Sequence, residues 1–317
     1  MLMSWQKNQY IHDLEKITSM GTIRAEFNQL SQIVRKFPYG PTKELYGVVQ
    51  RLQSYADQSI ERYWKQLQAD PENVKPTLLT KEYAGVEEGW ITKEQIQRDA
   101  QGNIVAGTDT TAITASYTIW LLSHHPEVEQ ALIEEVSTLP VDFMDHELRG
   151  LPLLNNVLNE TLRLKGPILQ GLPRYVPIGG ADFCDYYIPG GNVVGIQAYT
   201  MHRNPNVWTN PEIFDPSRWD DPSKDMRDSF VPFGGGSRSK YIFYKRCRIE
   251  SLRSRVVCVG MHFAQLELRH AIVNFYRTFA SGVRKSHAEG FSDLDMLPIS
   301  YFLSPPKGTR CLMERRK

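Results

Sequence analysis

The sequence predicts a mainly α-helical fold with a small β region, folded as a single domain over residues 1–317. Three observations carry this. Helical patterning with few breakers runs from about 10 to 70 and again from 92 to 125. A stretch at 171–198 mixes Pro, Gly and β-branched residues. No internal repeat or linker marks a second domain.

In chain order, residues 1–91 read as a helical hairpin, broken at Phe37-Pro38-Tyr39-Gly40-Pro41, where two prolines and a glycine force a turn. Residues 92–170 hold a long central helix and the helices after it. Thr92 with Gln95 three residues on forms a capping box, and Pro126 ends the run, so the helix should span roughly 50 Å at about 1.5 Å per residue. Further helices are expected at 127–138 and 153–164, the second with Leu153, Leu154, Val157, Leu158 and Leu162 at helical spacing. Residues 171–237 form the β and irregular region: short strands and hairpins to 198, with a turn at Pro189-Gly190-Gly191-Asn192, then mostly irregular chain from 204. A final helix follows Gly260 and runs to about Phe279, within a C-terminal region of 258–317.

A 41% hydrophobic content excludes a disordered chain. Lys plus Arg number 37 against 36 Asp plus Glu, so no net field steers the protein to nucleic acid or an anionic membrane, and a small-molecule partner is expected. Cys184, Cys247, Cys258 and Cys311 lie far apart, which excludes a Cys-x-x-Cys metal site and a disulfide framework and suits a reducing compartment. The first residues turn polar at Gln6-Lys7-Asn8-Gln9, so no signal peptide or membrane anchor is expected in the chain as written.

Four segments carry candidate chemistry. The central helix holds Ala106-Gly107-Thr108-Asp109-Thr110-Thr111, small and β-branched residues where Leu, Lys or Glu are the better helix formers. Gly107 would let a flat ligand approach the backbone, and a hydroxyl could divert a helical hydrogen bond and open a groove; the plainer reading is a helix crossing lined with small residues. Glu160 and Arg163 share a helix face. If Arg218, in the turn Phe214-Asp215-Pro216-Ser217-Arg218-Trp219, reached back to Glu160, a buried carboxylate would be paired with two cations. Phe233-Gly234-Gly235-Gly236-Ser237-Arg238 is a glycine-rich loop ending in a cation, and Cys258-Val259-Gly260 leads into a helix carrying Phe263, Ala264 and Glu267. A cysteine before a helix start has its thiolate favoured, as a metal ligand requires, although an isolated cysteine is more commonly a small core residue.

In this order the four segments resemble the signature set of the cytochrome P450 family, from about residue 85 to 303. Gly171-Leu172-Pro173-Arg174 and Ala198-Tyr199-Thr200-Met201-His202-Arg203-Asn204-Pro205 look like fungal members that tailor secondary metabolites. The resemblance implies a haem cofactor with Cys258 as axial thiolate, Phe233, Gly107 and Gly260 around it, and Arg238 and Arg174 against the haem propionates. Thr110 and Asp109 match the pair that delivers protons to bound oxygen. Glu160, Arg163 and Arg218 match a structural charge triad. The implied reaction inserts one atom of O2 into an apolar small molecule, with electrons from NADPH-cytochrome P450 reductase.

Two departures qualify the resemblance. Residues Ser239 to Val257 stand where the family has one residue between the loop arginine and the cysteine. Deleting 239–256 restores Arg238-Val257-Cys258-Val259-Gly260, and Ser239-Lys240-Tyr241 can be encoded with a donor-like GTAAGT string, which suggests a retained intron. The insert is basic and aromatic, a composition that also suits nucleic-acid contact, and it carries Cys247 as a rival ligand, although Arg248-Ile249 rather than a helix-entering glycine follows it. Family members are also longer, with a membrane anchor, usually in the endoplasmic reticulum, and a β-rich region ahead of the part seen here. The expectation is therefore an N-terminally incomplete chain that binds haem poorly as written, the alternative being an inactive remnant or mis-spliced product. His124, His125 and His202 read as structural or surface residues. Tyr301, Phe302 and Leu303 read as pocket lining or, more plainly, a core cluster.

Overall fold

In the computed structural model, residues 9–26, 41–70, 72–75, 77, 80–183, 186–234 and 257–316 are described. The chain divides into two compact units, Met1–Asp109 and Thr110–Lys317, the boundary falling inside the central helix.

In the first unit, α1 (Gln9–Glu26) packs on α2 (Pro41–Ala69) through Leu14, Val48 and Leu52, all fully buried, with Tyr10, Tyr55 and Val105 around them. The break expected at Phe37–Pro41 lies almost wholly outside the described residues; Pro41 itself opens α2, a position where its missing N–H costs nothing. Asp13, buried in this interface, accepts from Arg51 Nε and Nη2, each at 2.6 Å, and from Gln9 Nε2 at 2.9 Å. These bonds, led by that from Arg51, hold its carboxyl below the usual range. α3 (Thr80–Glu87) and the start of α4 (Lys93–Ser123) share a smaller core of Tyr63, Tyr83 and Ile96. Gly85 is required there, because a Cβ would lie 2.4 Å from the Trp90 ring. The capping box before α4 is formed: Thr92 N–H donates to Gln95 Oε1 at 2.7 Å and Gln95 N–H to Thr92 Oγ1 at 3.2 Å.

In the second unit, the end of α4 joins α5 (Pro126–Ser137), α6 (Asp145–Arg149), α7 (Pro152–Lys165) and α10 (Met261–Thr278) around one apolar core that includes Leu122, Leu132, Leu154, Val157 and Ile272. The Glu135 carboxylate takes the free N–H groups of Leu153 and Leu154 at 2.9 and 2.8 Å, so α7 starts on a side chain from α5. β1 (Gly171–Tyr175) pairs antiparallel with β4 (Val193–Gln197), and β2 (Ala181–Phe183) with β3 (Tyr186–Ile188). Gly191, in the expected turn, has φ +84, a conformation that glycine alone adopts freely. α8 (Ala198–Met201) follows. The region from 204, expected to be mostly irregular, also holds a 3₁₀ turn at Pro216–Trp219 and α9 (Lys224–Ser229), which starts where Ser223 Oγ accepts the Met226 N–H at 3.2 Å. β5 (Val283–Lys285) and β6 (Met313–Arg315) close the unit on Glu129 of α5, which accepts from Val283 N–H and Arg316 Nε, each at 3.0 Å.

Glu160 and Arg163 of α7 are completely buried. Oε1 of Glu160 accepts from Arg163 Nη2 at 2.8 Å and from Arg218 Nε and the Asp215 N–H, both at 3.0 Å. Oε2 accepts from Arg163 Nε at 2.8 Å and from the Trp219 indole at 3.0 Å. The remaining Arg163 donors reach the carbonyls of His202, Pro211 and Ile213 at 2.8, 2.6 and 3.1 Å, which uses the whole guanidinium fork. Five donors on one carboxylate, and a cation with no idle N–H, are what make burial of the pair tolerable. His202 is also fully buried; burial, with Arg163 and Arg203 nearby, pushes its imidazole down to about 3, so the ring is neutral. Among the described residues no helix is long and apolar enough to cross a membrane.

Glu160→Gln sets an amide NH2 among donors and is expected to cost about 3–5 kcal/mol in urea unfolding, because it leaves Arg163 and Arg218 without their anion. Asp13→Asn should cost less, since the Arg51 side chain it leaves behind is 41% exposed and water can solvate it. His202 gives a pH signature: its unfolded imidazole takes up a proton below about pH 6.5 while the folded one stays neutral to about 3. Stability should therefore fall as pH drops through that window, by about 1.4 kcal/mol per unit from this group alone, and His202→Gln should remove that part of the pH dependence.

Candidate functional site

The two halves of the glycine–cysteine loop meet although residues 235–256, which include Arg238 and Cys247, lie outside the described residues. Val231, Pro232, Phe233 and Gly234 form a turn closed by a bond from Gly234 N–H to the Val231 carbonyl at 3.1 Å, with Gly234 at φ +81. From this turn the Phe233 carbonyl accepts the Cys258 N–H at 3.0 Å. The Cys258 carbonyl then accepts the Met261 N–H at 3.2 Å, and Gly260 caps α10, its carbonyl taking the Ala264 N–H at 2.8 Å. Cys258 thus stands between a backbone bond and a helix start.

Cys258 is exposed, with Val259 97% and Phe263 43% exposed near it. An exposed thiol bordered by exposed apolar side chains is the donor set that a flat apolar macrocycle with a central metal would use, so the residues fit haem. The reading of Cys258 as a sealed core residue does not match this exposure. Cys311 is the contrast: its Sγ points to the Ser116 carbonyl at 3.8 Å, and burial pushes its thiol up to about 12. Cys184 and Cys247 lie outside the described residues.

α4 is helical throughout the small-residue segment. Thr108, Thr114 and Thr118 bond the carbonyls of Ile104, Thr110 and Thr114 at 2.7, 2.9 and 2.8 Å, one turn back. Among the described residues nothing lies within 4 Å of a Cβ built on Gly107. Gly107 and Asp109 belong to the first unit, Thr110 and Cys258 to the second. Within the second unit, Thr111 lies beside Glu267 of α10: burial raises that carboxyl, and the Thr111 hydroxyl opposes the rise.

Arg174 is half-buried on β1 opposite Val194, with Nη1 on the Pro173 carbonyl at 2.8 Å. Glu160, Arg163 and Arg218 come together as described above. Tyr301 and Phe302 are half-exposed, and only Leu303 of that trio enters the core, beside Ile113 and Tyr117. Sequence reasoning missed the roles of Trp219 and the Asp215 N–H at Glu160 and treated His202 as one undistinguished histidine among three. The signal available for His202 was its apolar neighbourhood, Ala198 to Met201, directly before a cation.

Comparison with known proteins agrees in family. The cytochrome P450 family model matches residues 2–239, ending where the extra segment begins. The chain is similar to cytochrome P450 monooxygenase tazI of Aspergillus terreus, 40% identical over 99% of this chain and 61% of that protein. It is also similar to cytochrome P450 monooxygenases orf2 and azaI of Aspergillus niger, at 38% and 35% identity over 95% of this chain and 57% and 64% of theirs. The chain spans about three fifths of the length of these relatives. With its helical architecture, its small antiparallel sheets and a match over most of its length, the chain belongs to the cytochrome P450 family.

Proposed function

We propose that this chain provides the haem-thiolate core of a monooxygenase that inserts one atom of O2 into an apolar small molecule in fungal secondary metabolism. The observation that carries the reading is the bond from Cys258 N–H to the Phe233 carbonyl, which presents an exposed thiol at the start of α10 despite the intervening segment. When bound, haem with a thiolate ligand supplies the oxygen-activating chemistry, with electrons delivered by NADPH-cytochrome P450 reductase.

The chain's own residues bind, orient and move protons. Cys258 would hold the iron, Phe233, Val259 and Phe263 would supply apolar contact, and Gly260 would let the chain turn directly into α10. Arg174 and Arg238 would neutralise the propionates. Gly107 would leave room for a flat ring beside the helix backbone. The Thr110 hydroxyl would donate a proton into the haem pocket and the Asp109 carboxyl would resupply it. Glu160, Arg163 and Arg218 would do no chemistry and would hold the frame. Names of the relatives support monooxygenation and their Aspergillus origin supports a fungal setting; an inactive remnant draws no support from either. Residues 239–256 are proposed as a retained intron, testable by sequencing the mature transcript.

Removal of 239–256 is expected to raise haem incorporation several-fold, read as the thiolate-haem Soret band of reduced, carbon monoxide-treated protein. In that shortened chain Cys258→Ser should abolish the band. In the unshortened chain Cys247→Ser should leave it unchanged, and loss of the band there with retention in Cys258→Ser would move the ligand to Cys247. Thr110→Ala should keep the band but divert a several-fold larger share of reductase electrons to hydrogen peroxide, measured per NADPH consumed.

A further inference from the structure

We propose that His202 is a positioning residue for the cysteine loop: its imidazole transmits the rigidity of the buried Glu160–Arg163 pair to the Val231–Gly234 turn, and so to Cys258. The inference deepens the reading of Cys258 as the iron ligand and rests on it for its functional consequence.

Both ring nitrogens of His202 are occupied. Nε2 accepts the Val231 N–H at 2.9 Å, and since a backbone amide can only donate, the ring proton must sit on Nδ1, from which it donates to the Arg163 carbonyl at 3.2 Å. The same residue is tied through its backbone, its carbonyl accepting Arg163 Nη1 at 2.8 Å and its N–H donating to the Ala198 carbonyl at 2.8 Å. His202 is therefore fixed to Arg163 at two points, with no accessible surface.

Beyond the ring, rigidity continues along the chain. The Val231 N–H is held by the imidazole and its carbonyl by Gly234 N–H, so both sides of the first turn residue are pinned. Pro232 fixes φ at the next position. The direction of the Phe233 carbonyl is then set, and that carbonyl holds the Cys258 N–H. A histidine present only to fill core volume would need neither ring nitrogen; here the loss of one bond leaves a partly buried polar group unmatched, in this case the Val231 amide.

The test uses the full chain without haem. Peptide-resolved hydrogen exchange of the wild type should place the Val231 and Cys258 amides in the same opening step as the amides of Glu160 to Leu164; exchange of both at the rate of unprotected loop would overturn the proposal without any variant. His202→Gln puts Oε1 near the Nε2 position and can accept from Val231, whereas His202→Asn keeps only the donor toward Arg163. The Asn variant should exchange the Val231 and Cys258 amides about tenfold faster than the Gln variant, with α10 amides around Ile272 unchanged between the two. Equal exchange in the two variants, or an equal rise at α10, would show a general structural role and overturn it. Haem is then added to the same three proteins lacking 239–256: a stronger thiolate-haem band in Gln than in Asn is expected and equal bands would count against the link, while absence of the band in every protein, wild type included, would sink the ligand reading and leave the exchange result to decide the positioning role.

Discussion

The second unit depends on one buried carboxylate. Glu160 collects five donors from α7 itself and from the irregular chain between Asp215 and Trp219, while Arg163 collects carbonyls from His202, Pro211 and Ile213. That chain has little regular structure of its own, so its backbone groups cannot satisfy one another in a ladder. They are satisfied by the charged pair. An ion pair of this kind adds little net stability compared with a well-packed apolar replacement, but it allows one arrangement of the surrounding backbone and penalises others. The aromatic contacts are consistent with this: Trp208 lies under the Arg163 guanidinium at 5.2 Å, and Trp219 sits between Trp208 and Phe230, its ring tilted by 52° and 57° to theirs. They shield the pair from water and fill the volume around it.

The contrast with the first unit is instructive. Asp13 and Arg51 form a bidentate pair of similar geometry, yet Arg51 reaches solvent and the pair joins two regular helices whose backbones are already satisfied. Its role is to set the register of α1 against α2. Around Glu160 the same chemistry organises irregular backbone, and the clamp reaches the cysteine loop through His202, Val231 and Phe233. A long segment between Gly234 and Val257 is compatible with this arrangement because its anchors are local. Phe233 and Cys258 meet through a backbone bond although they stand 25 positions apart in the sequence.

The candidate site residues lie largely at the edges of regular structure. Cys258 sits just outside α10, Phe233 ends a turn, Arg174 lies on a short strand, and the small residues of α4 interrupt a run that would otherwise be filled with better helix formers. Placing reactive groups at such edges keeps them accessible, while α7 and α10 supply the rigid frame behind them.

The sequence by itself determined the main helices and the short-strand region. Helical periodicity, the Thr92 capping box and the breaks at Pro41 and Pro126 mark helices that form close to where they were expected, because these signals act within one turn. It also determined the family, since the order of four motifs is a property of the chain alone, and it singled out Glu160, Arg163, Arg218, Phe233 and Cys258 as residues worth joining. Only the tertiary structure decided that a fully buried imidazole bridges Arg163 to Val231, that Trp219 and the Asp215 amide complete the carboxylate, and that Cys258 is exposed whereas Cys311 is partly buried. These facts depend on which distant groups are desolvated together, and hydrogen bonds between residues thirty to sixty positions apart leave no periodic trace in the sequence. The uninterrupted α4 has the same cause: intrinsic preference at Gly107 to Thr111 opposes a helix, and packing on both sides of that segment overrides it.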